Sequence, residues 1–369
     1  MTLEEIIIER IQQEGPISFK DYMDLCLYHP VHGYYNSQDK KIGKDGDYYT
    51  SPCVSPAFGA MISKQLEEIW QQMGCKSFIV VEYGAGNGLL AHDILLYASQ
   101  NAEFYRNLDY YIIEKSPYMR AEAGKILPSK VKWCQRLKDL GWFSGCIISN
   151  ELLDNFPVHQ IVMQDRLMEV FVGYRDQFTE NLVNGNEQLI EYFKELNVFL
   201  PYGFRTEVNL DAIEWLNEIG AQLREGCVLT FDYGYLSLEL YRHHRSDGTL
   251  LCYKDHQVNE SPYQDIGKQD MTAFVNFSAL HHWGEKFGLV GYGYIDQACF
   301  LQRLGFEKYL HQSLNGNPFH YDDSKEKQIK KILLQNLGRH IKVLIQAKNF
   351  DANSLTCLQE KKEIGSEMF

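Results

Sequence analysis

The sequence predicts an α/β fold built on a mostly parallel, doubly wound sheet, and three observations carry that prediction. Phe78-Ile-Val-Val-Glu82-Tyr is an apolar run ending beside an acid. Gly84-Ala-Gly86-Asn-Gly88 and then helix-like apolar spacing follow at once, which reads as a buried strand turning sharply into a helix. Strand-like and helix-like stretches then alternate over 110–114, 117–127, 131–134 and 145–151, the pattern of right-handed crossovers between parallel strands. Finally, 369 residues with 45% apolar content and no internal repeat or charged linker favour one elaborated domain over two independent ones.

The remaining elements follow in order. Leu3, Ile6, Ile7 and Ile11 recur at helical spacing and Gly15-Pro16 closes that helix, while Ser18 is an N-cap for a second one running to residue 27. Residues 29–56 are rich in Gly, Pro and Tyr and are a candidate lid over the glycine turn. Phe58, Met61, Ile62, Leu66, Ile69, Trp70 and Met73 mark a helix leading into that turn. Residues 158–174 read as an inserted β-hairpin, 211–223 as a helix and 227–232 as a strand. The polar stretch 235–270 suits a flap, 275–287 returns to helical spacing, and 340–346 supplies a last strand.

Composition excludes several function classes. Lys plus Arg total 36 against 49 Asp plus Glu, a net charge of −13, and no stretch gathers the basic residues into one face, which argues against a nucleic-acid partner. The nine cysteines are odd in number, scattered and without a CxxC pair, so neither a zinc site nor a disulfide framework is expected. The histidines show no HExxH or other metal spacing, and no metal is expected. Free cysteines fit a reducing compartment. The N-terminal residues carry early acids and resemble neither a signal peptide nor an Arg-rich transit peptide, and no stretch reaches the roughly 18 to 20 apolar residues of a membrane span. The expectation is a cytoplasmic protein without a membrane partner.

The chemistry begins at the glycines. Gly84-x-Gly86-x-Gly88 lacks the third glycine that a dinucleotide fold wants one position later, where Leu89 stands, and it lacks the GK[ST] ending of a phosphate loop. It resembles the first motif of class I methyltransferases that use S-adenosylmethionine. In that setting the glycines admit the amino-acid end of the cofactor, and Glu82 faces its ammonium or orders the loop. Glu114 ends the second strand, where a carboxylate can accept both ribose hydroxyls. Ser149-Asn150-Glu151-Leu-Leu-Asp154 ends the fourth strand on the rim of the ligand crevice, so Asn150, Glu151 and Asp154 are expected to face the transferred methyl group. Two carboxylates there suit a cationic acceptor such as a guanidinium, with its five donors and permanent charge. Asp232-Tyr233-Gly234 lies on the same rim, as a pocket wall or as a turn.

Several further motifs occur in one order: His29-Pro30-x-x-Gly33-Tyr34-Tyr35, Gly46-Asp47-Tyr-Tyr-Thr50-Ser51-Pro52, the glycine turn, Asn150-Glu151-Leu-Leu-Asp154-x-x-Pro157-Val158, Asp232-Tyr233-Gly234, Gly248-Thr-Leu-x-Cys252-Tyr253 and Gln269-Asp270-x-Thr272-Ala273. Together they resemble the MidA family of S-adenosylmethionine-dependent methyltransferases, whose mitochondrial members are complex I assembly factors acting as protein arginine methyltransferases. The resemblance implies a class I methyltransferase sheet, mostly parallel with an antiparallel last strand. It implies an N-terminal helical extension with the lid at 1–57, a methyltransferase domain at 58–350 with insertions at about 157–205 and 235–275, and a C-terminal tail at 351–369. It implies S-adenosyl-L-methionine held by Glu82, Gly84, Gly86, Gly88, Glu114, Thr50 and Ser51, and methyl transfer to a protein arginine at Glu151, Asp154 and Asn150. The chain departs from the family pattern at Cys53, Leu251, Phe274 and Asn276. Two alternatives stand beside this reading: a non-catalytic assembly or binding module that keeps the fold, and a methyltransferase acting on a small molecule.

Overall fold

The computed structural model describes residues 1–39, 41–43, 46–314 and 323–359. Its centre is an eight-stranded sheet whose main path holds β1 (Phe78–Tyr83), β2 (Leu108–Ile113), β3 (Val131–Cys134), β4 (Phe143–Asn150), β5 (Leu223–Tyr235), β6 (Val290–Asp296) and β7 (Ile341–Lys348), in the order β6-β7-β5-β4-β1-β2-β3, with the short strand Val275–Asn276 paired parallel to the end of β5. Pairs from β3 across to β5 are parallel, and β7 runs antiparallel to both of its neighbours, as expected. Strand order reverses between β1 and β4, so a crevice opens beyond their carboxyl ends.

The central strands are apolar because both faces are covered. On one side α3 (Ala57–Gln72) and α4 (Leu89–Ala98) bury Phe58, Ile62, Leu66, Ile94 and Leu95 against the sheet; on the other, α5 (Leu210–Gln222) and α6 (Phe277–Lys286) bury Trp215, Leu216, Phe277 and Leu280. The 32-residue separation of Glu82 and Glu114 is filled by α4 and a short second helix, Ala102–Asn107, rather than by one long helix.

The additions form a second core. The two N-terminal helices, α1 (Leu3–Glu14) and α2 (Phe19–Tyr28), are capped by Thr2 and Ser18, and Ile17–Ser18 between them pairs antiparallel with Phe171 and Val172. The inserted region is larger than the expected hairpin: His159–Met163 and Leu167–Tyr174 are joined by Phe178–Asn184 and Arg205–Val208 in one antiparallel sheet. Phe178–Asn184 is an edge strand whose residues are mostly polar and exposed, so it lacks the buried alternation that marks a strand in sequence. β6 was hidden for a related reason, since Gly291 and Gly293 interrupt its apolar pattern. The expected flap is a three-stranded antiparallel sheet of Leu251–Lys254, Gln257–Asn259 and Asp270–Thr272. Phe19, Tyr22, Leu27, Val172, Cys252 and Met271 bury together, so the N-terminal helices, the insertion and the flap share one cluster beside the crevice.

Of the expected tail, Leu355 and Cys357 are buried against the main core, and residues 360–369 lie outside the described residues, as do residues 40, 44 and 45 of the expected lid. Among the described residues, no helix is long and apolar enough to cross a membrane.

Candidate active site

The turn after β1 is left-handed at all three glycines, with φ of 67° at Gly84, 54° at Gly86 and 81° at Gly88. A side chain would be strained at each, but the three differ in what surrounds them. A Cβ on Gly86 would sit 3.0 Å from Ile42 Cδ1 of the lid, on the ligand side. A Cβ on Gly88 would sit 2.9 Å from the Cβ of Ala123, so this glycine serves the close approach of the helix Pro117–Gly124 and the start of α4 rather than a ligand. Glu114 follows β2 and stitches the turn together: its Oε2 accepts the Gly86 N–H at 3.1 Å and its Oε1 accepts the Ser116 N–H at 2.9 Å. Burial raises its pKa while these donors oppose the rise. Glu82 turns instead toward β2, accepting the Tyr110 hydroxyl at 2.6 Å, and burial pushes its carboxyl up to about 7.

Two cavities meet above the sheet. The first, of about 280 Å³, is walled by Gly84, Gly86, Asn87, Glu114 and Asn150, with Ile113, Leu90 and Met119 as an apolar side. Glu82 and Thr50 also reach it. The second, of about 290 Å³, is walled by Asp154, Asp270, Tyr233, Tyr253 and Phe274. Glu151, Tyr48 and Asn155 belong to both walls.

Glu151 has φ of 51°, a left-handed value costing a non-glycine residue about 1 kcal/mol or more. Its Oε1 accepts the Ser51 N–H and Asn150 Nδ2, each at 3.1 Å, its Oε2 accepts the Tyr233 hydroxyl at 3.4 Å, and burial pushes its carboxyl up to about 7. The left-handed turn is held by Asp232, which accepts the N–H groups of Leu152 at 3.1 Å and Leu153 at 2.8 Å. Asp232 therefore ties the β4 loop to β5 and Tyr233 provides the wall, dividing the two roles open to that motif. Asp154 is buried with no hydrogen-bond partner at Oδ1; burial and then the charges of Asp232, Asp270 and Glu151 push its pKa well up. Asp270 accepts the hydroxyl of Tyr35 at 2.9 Å and Asn155 Nδ2 at 3.1 Å. No Lys or Arg is among the described residues walling the second cavity.

Most of the expected site residues therefore converge: Glu82, Gly84, Gly86, Glu114, Thr50 and Asn150 on the first cavity, Asp154 on the second, Glu151 between. Two depart from their expected roles. Gly88 packs against a helix. Ser51 lies behind Glu151, outside the cavity wall, with its backbone N–H on that carboxylate and its hydroxyl donating to Gln297 Oε1 at 3.1 Å, because the short helix Ser51–Val54 turns it inward. The sequence reading missed Tyr48, Tyr253 and Asp270 as wall residues; their only signal was membership in the Tyr-rich lid and flap motifs. Among the departures from the family pattern, Phe274 walls the second cavity, Cys53 Sγ lies 3.8 Å from Asn87 Nδ2, Leu251 faces a neighbouring groove, and Asn276 caps α6.

The first cavity fits a cofactor with an ammonium group, a ribose and a planar base. Asn150 Oδ1 is buried there without a partner, an acceptor beside the glycine backbone; Glu114 keeps lone pairs beyond its two backbone bonds; and the apolar side suits a base.

Residues 61–295 match the model of a family of S-adenosyl-L-methionine-dependent methyltransferases. The chain belongs to this family. It is an S-adenosylmethionine-dependent methyltransferase, and the motif resemblance to the MidA family holds. It is 28% identical over 346 residues to the mitochondrial protein arginine methyltransferase NDUFAF7 homolog of Drosophila melanogaster, covering 83% of this chain and 75% of that one. The human mitochondrial protein arginine methyltransferase NDUFAF7 is 26% identical over 367 residues, covering 89% and 77%. A Burkholderia thailandensis protein solved with S-adenosyl-homocysteine bound superposes with a TM-score of 0.86 at 27% identity, over 97% of this chain and 94% of that chain. These relatives correct one expectation. The curated ones are mitochondrial proteins, which overturns the cytoplasmic assignment. Free cysteines report a reducing compartment and not which one.

Proposed function

We propose that this methyltransferase modifies the arginine side chain of a protein. One observation carries the reading: Glu151 belongs to the walls of both cavities, and beyond it an acidic, aromatic pocket holds Asp154 with an unpartnered buried oxygen and no Lys or Arg among its described wall residues. Buried carboxylates without a basic partner are costly, and a guanidinium between aromatic rings relieves that cost. The printed names of the curated relatives, protein arginine methyltransferases, support the same acceptor. A net charge of −13 also favours a basic protein segment over nucleic acid.

In this reading Glu114 takes the ribose hydroxyls, Asn150 Oδ1 and the backbone at Gly84 and Gly86 take the amino-acid end, and Glu82 supports the turn through Tyr110. The bound cofactor supplies a methyl group activated on a positively charged sulfur. Glu151 and Asp154 grip the guanidinium and turn one nitrogen toward the first cavity, so that positioning supplies much of the rate. Ser51, Asn150 and Tyr233 hold the Glu151 carboxylate in place. With a pKa pushed up to about 7, Glu151 is matched to accept, at Oε2, the proton that the methylated nitrogen gives up. The division into extension and lid (1–57), methyltransferase domain with two insertions (58–350) and tail (351–369) is proposed with it: the lid and the second insertion wall the acceptor side, and the strand ends with the lid wall the cofactor side.

The test is transfer of a labelled methyl group from the cofactor into the lysate of a deletion strain. Label in protein arginine supports the proposal, and label confined to the small-molecule fraction overturns it.

A further inference from the structure

The lid is joined at one side to the glycine turn and at the other to the flap, through Ile42, Asp47, Tyr48 and Tyr49. On the cofactor side, Ile42 Cδ1 lies over Gly86, and Ile42 bridges to Tyr48 with the Gly43 N–H donating to the Tyr48 carbonyl at 2.9 Å. On the acceptor side, Asp47 makes three contacts. Its Oδ2 accepts the Tyr34 hydroxyl at 2.6 Å, its Oδ1 accepts the Asp255 N–H at 2.7 Å, and its carbonyl accepts the His256 N–H at 3.2 Å. Tyr49 stacks on the His256 ring, with centroids 5.2 Å apart and 17° between planes. Asp255 and His256 form the tip of the flap hairpin, and both are left-handed, with φ of 50° and 59°, so the hairpin presents its two tip N–H groups in one fixed direction.

Tyr48 walls both cavities, and Asp47, Tyr49, Tyr253, His256 and Val258 wall only the second. Six of the fourteen described residues walling the acceptor pocket thus come from a lid and a hairpin that reach each other at Asp47. We infer that Asp47 is a positioning residue that couples the two sites: closing the lid over the cofactor docks the flap hairpin and completes the acceptor pocket, so cofactor and acceptor bind cooperatively with the cofactor first. The inference rests on the assignment of the second cavity to the acceptor, but its central test does not need the acceptor's identity.

No residue of 251–259 walls the cofactor cavity, so protection that S-adenosyl-homocysteine confers there is relayed, through the lid at Asp47 or through Asn155 and Asp270, and the Asp47 variants separate the two routes. The test is amide hydrogen exchange of the full chain with and without S-adenosyl-homocysteine. Exchange over 251–259 is expected to slow by about fivefold or more on binding, the size of an ordinary coupling between sites. In Asp47→Ala, which removes the bonds to Tyr34 and Asp255 but leaves the backbone bond to His256 and the Tyr49 stack, that slowing is expected to fall to about twofold or less. Asp47→Asn, which keeps an oxygen for the Asp255 N–H and can donate to the Tyr34 oxygen, is expected to restore it. Unchanged exchange in the natural chain, or equal slowing in Asp47→Ala when binding is saturated, overturns the inference. A second arm uses Nα-acetyl-L-arginine amide, whose affinity is expected to rise about tenfold with S-adenosyl-homocysteine in the natural chain and not in Asp47→Ala. Protection of the hairpin without any binding of this probe refutes the arginine reading and leaves the coupling standing.

Discussion

Replacing Glu151 by Gln separates chemistry from folding. The change keeps the side-chain volume and one carbonyl oxygen, but it removes the charge and points a donor at Ser51 N–H, Asn150 Nδ2 or the Tyr233 hydroxyl, all of which donate to the carboxylate. Losing one half of a buried charge pair costs about 2–5 kcal/mol, and Asp154 remains to hold the guanidinium, so about 3 kcal/mol is the expected loss. That is a fall of about 100-fold in kcat/KM for labelled-methyl transfer. Cofactor affinity, measured by calorimetry, is expected to change by less than about threefold, because the polar contacts assigned to the cofactor lie at Asn150, Glu114 and the glycine backbone. Stability at pH 8 is expected to be no lower, since a carboxyl pushed up to about 7 by burial opposes folding once ionised, and the amide does not. A variant that keeps more than about a third of the activity, or that loses activity and cofactor binding together, would refute the assignment of Glu151 to the acceptor.

Three further outcomes are expected. Glu114→Ala removes the acceptor of the Gly86 and Ser116 N–H groups and the ribose contact together, and calorimetry should show the cofactor Kd rising by about 10- to 100-fold. Gly86→Val and Gly88→Ala should fail in different ways: the first weakens cofactor binding by about tenfold or more through left-handed strain and the approach to Ile42, whereas the second lowers thermal stability by about 2 kcal/mol through the collision with Ala123, read as a fall in Tm. Without ligands, stability in denaturant titrations should fall as pH rises from about 4.5 to about 7. Over that window the folded state holds protons on Glu82, Glu151 and Asp270, each pushed up to about 7 chiefly by burial, that the unfolded chain has already released. His29, held below its ordinary value by burial, works in the opposite direction but is a single group. A stability that rises across this window would show that these carboxyls are not held neutral.

Most of the sheet, the glycine turn and most of the cofactor side were legible in the sequence. Those elements are local: a buried strand must be apolar on both faces, a left-handed turn needs glycine, and Glu114 and the Asn150 to Asp154 stretch sit at strand ends, where the alternation of strand and helix forces the crevice to be. Gly88 shows the limit of local reading, since its glycine is equally required whether a ligand or a neighbouring helix approaches, and only the position of Ala123 decides between them. Ser51 shows the same limit, because one helical turn directs it behind Glu151 rather than into the cavity. On the acceptor side Glu151, Asp154 and Tyr233 were legible at strand ends, but the opposite wall was not. Tyr48, Tyr253 and Asp270 come from the lid and the flap, up to 222 positions apart, and no periodicity joins residues whose only relation is a shared wall. The edge strand Phe178–Asn184 and β6 escaped notice for the complementary reason, that pairing to a neighbour supplies what their own side chains do not. What local pattern cannot encode is which loops meet, and here Asp47, with Tyr49 stacked on His256, joins the lid to the flap.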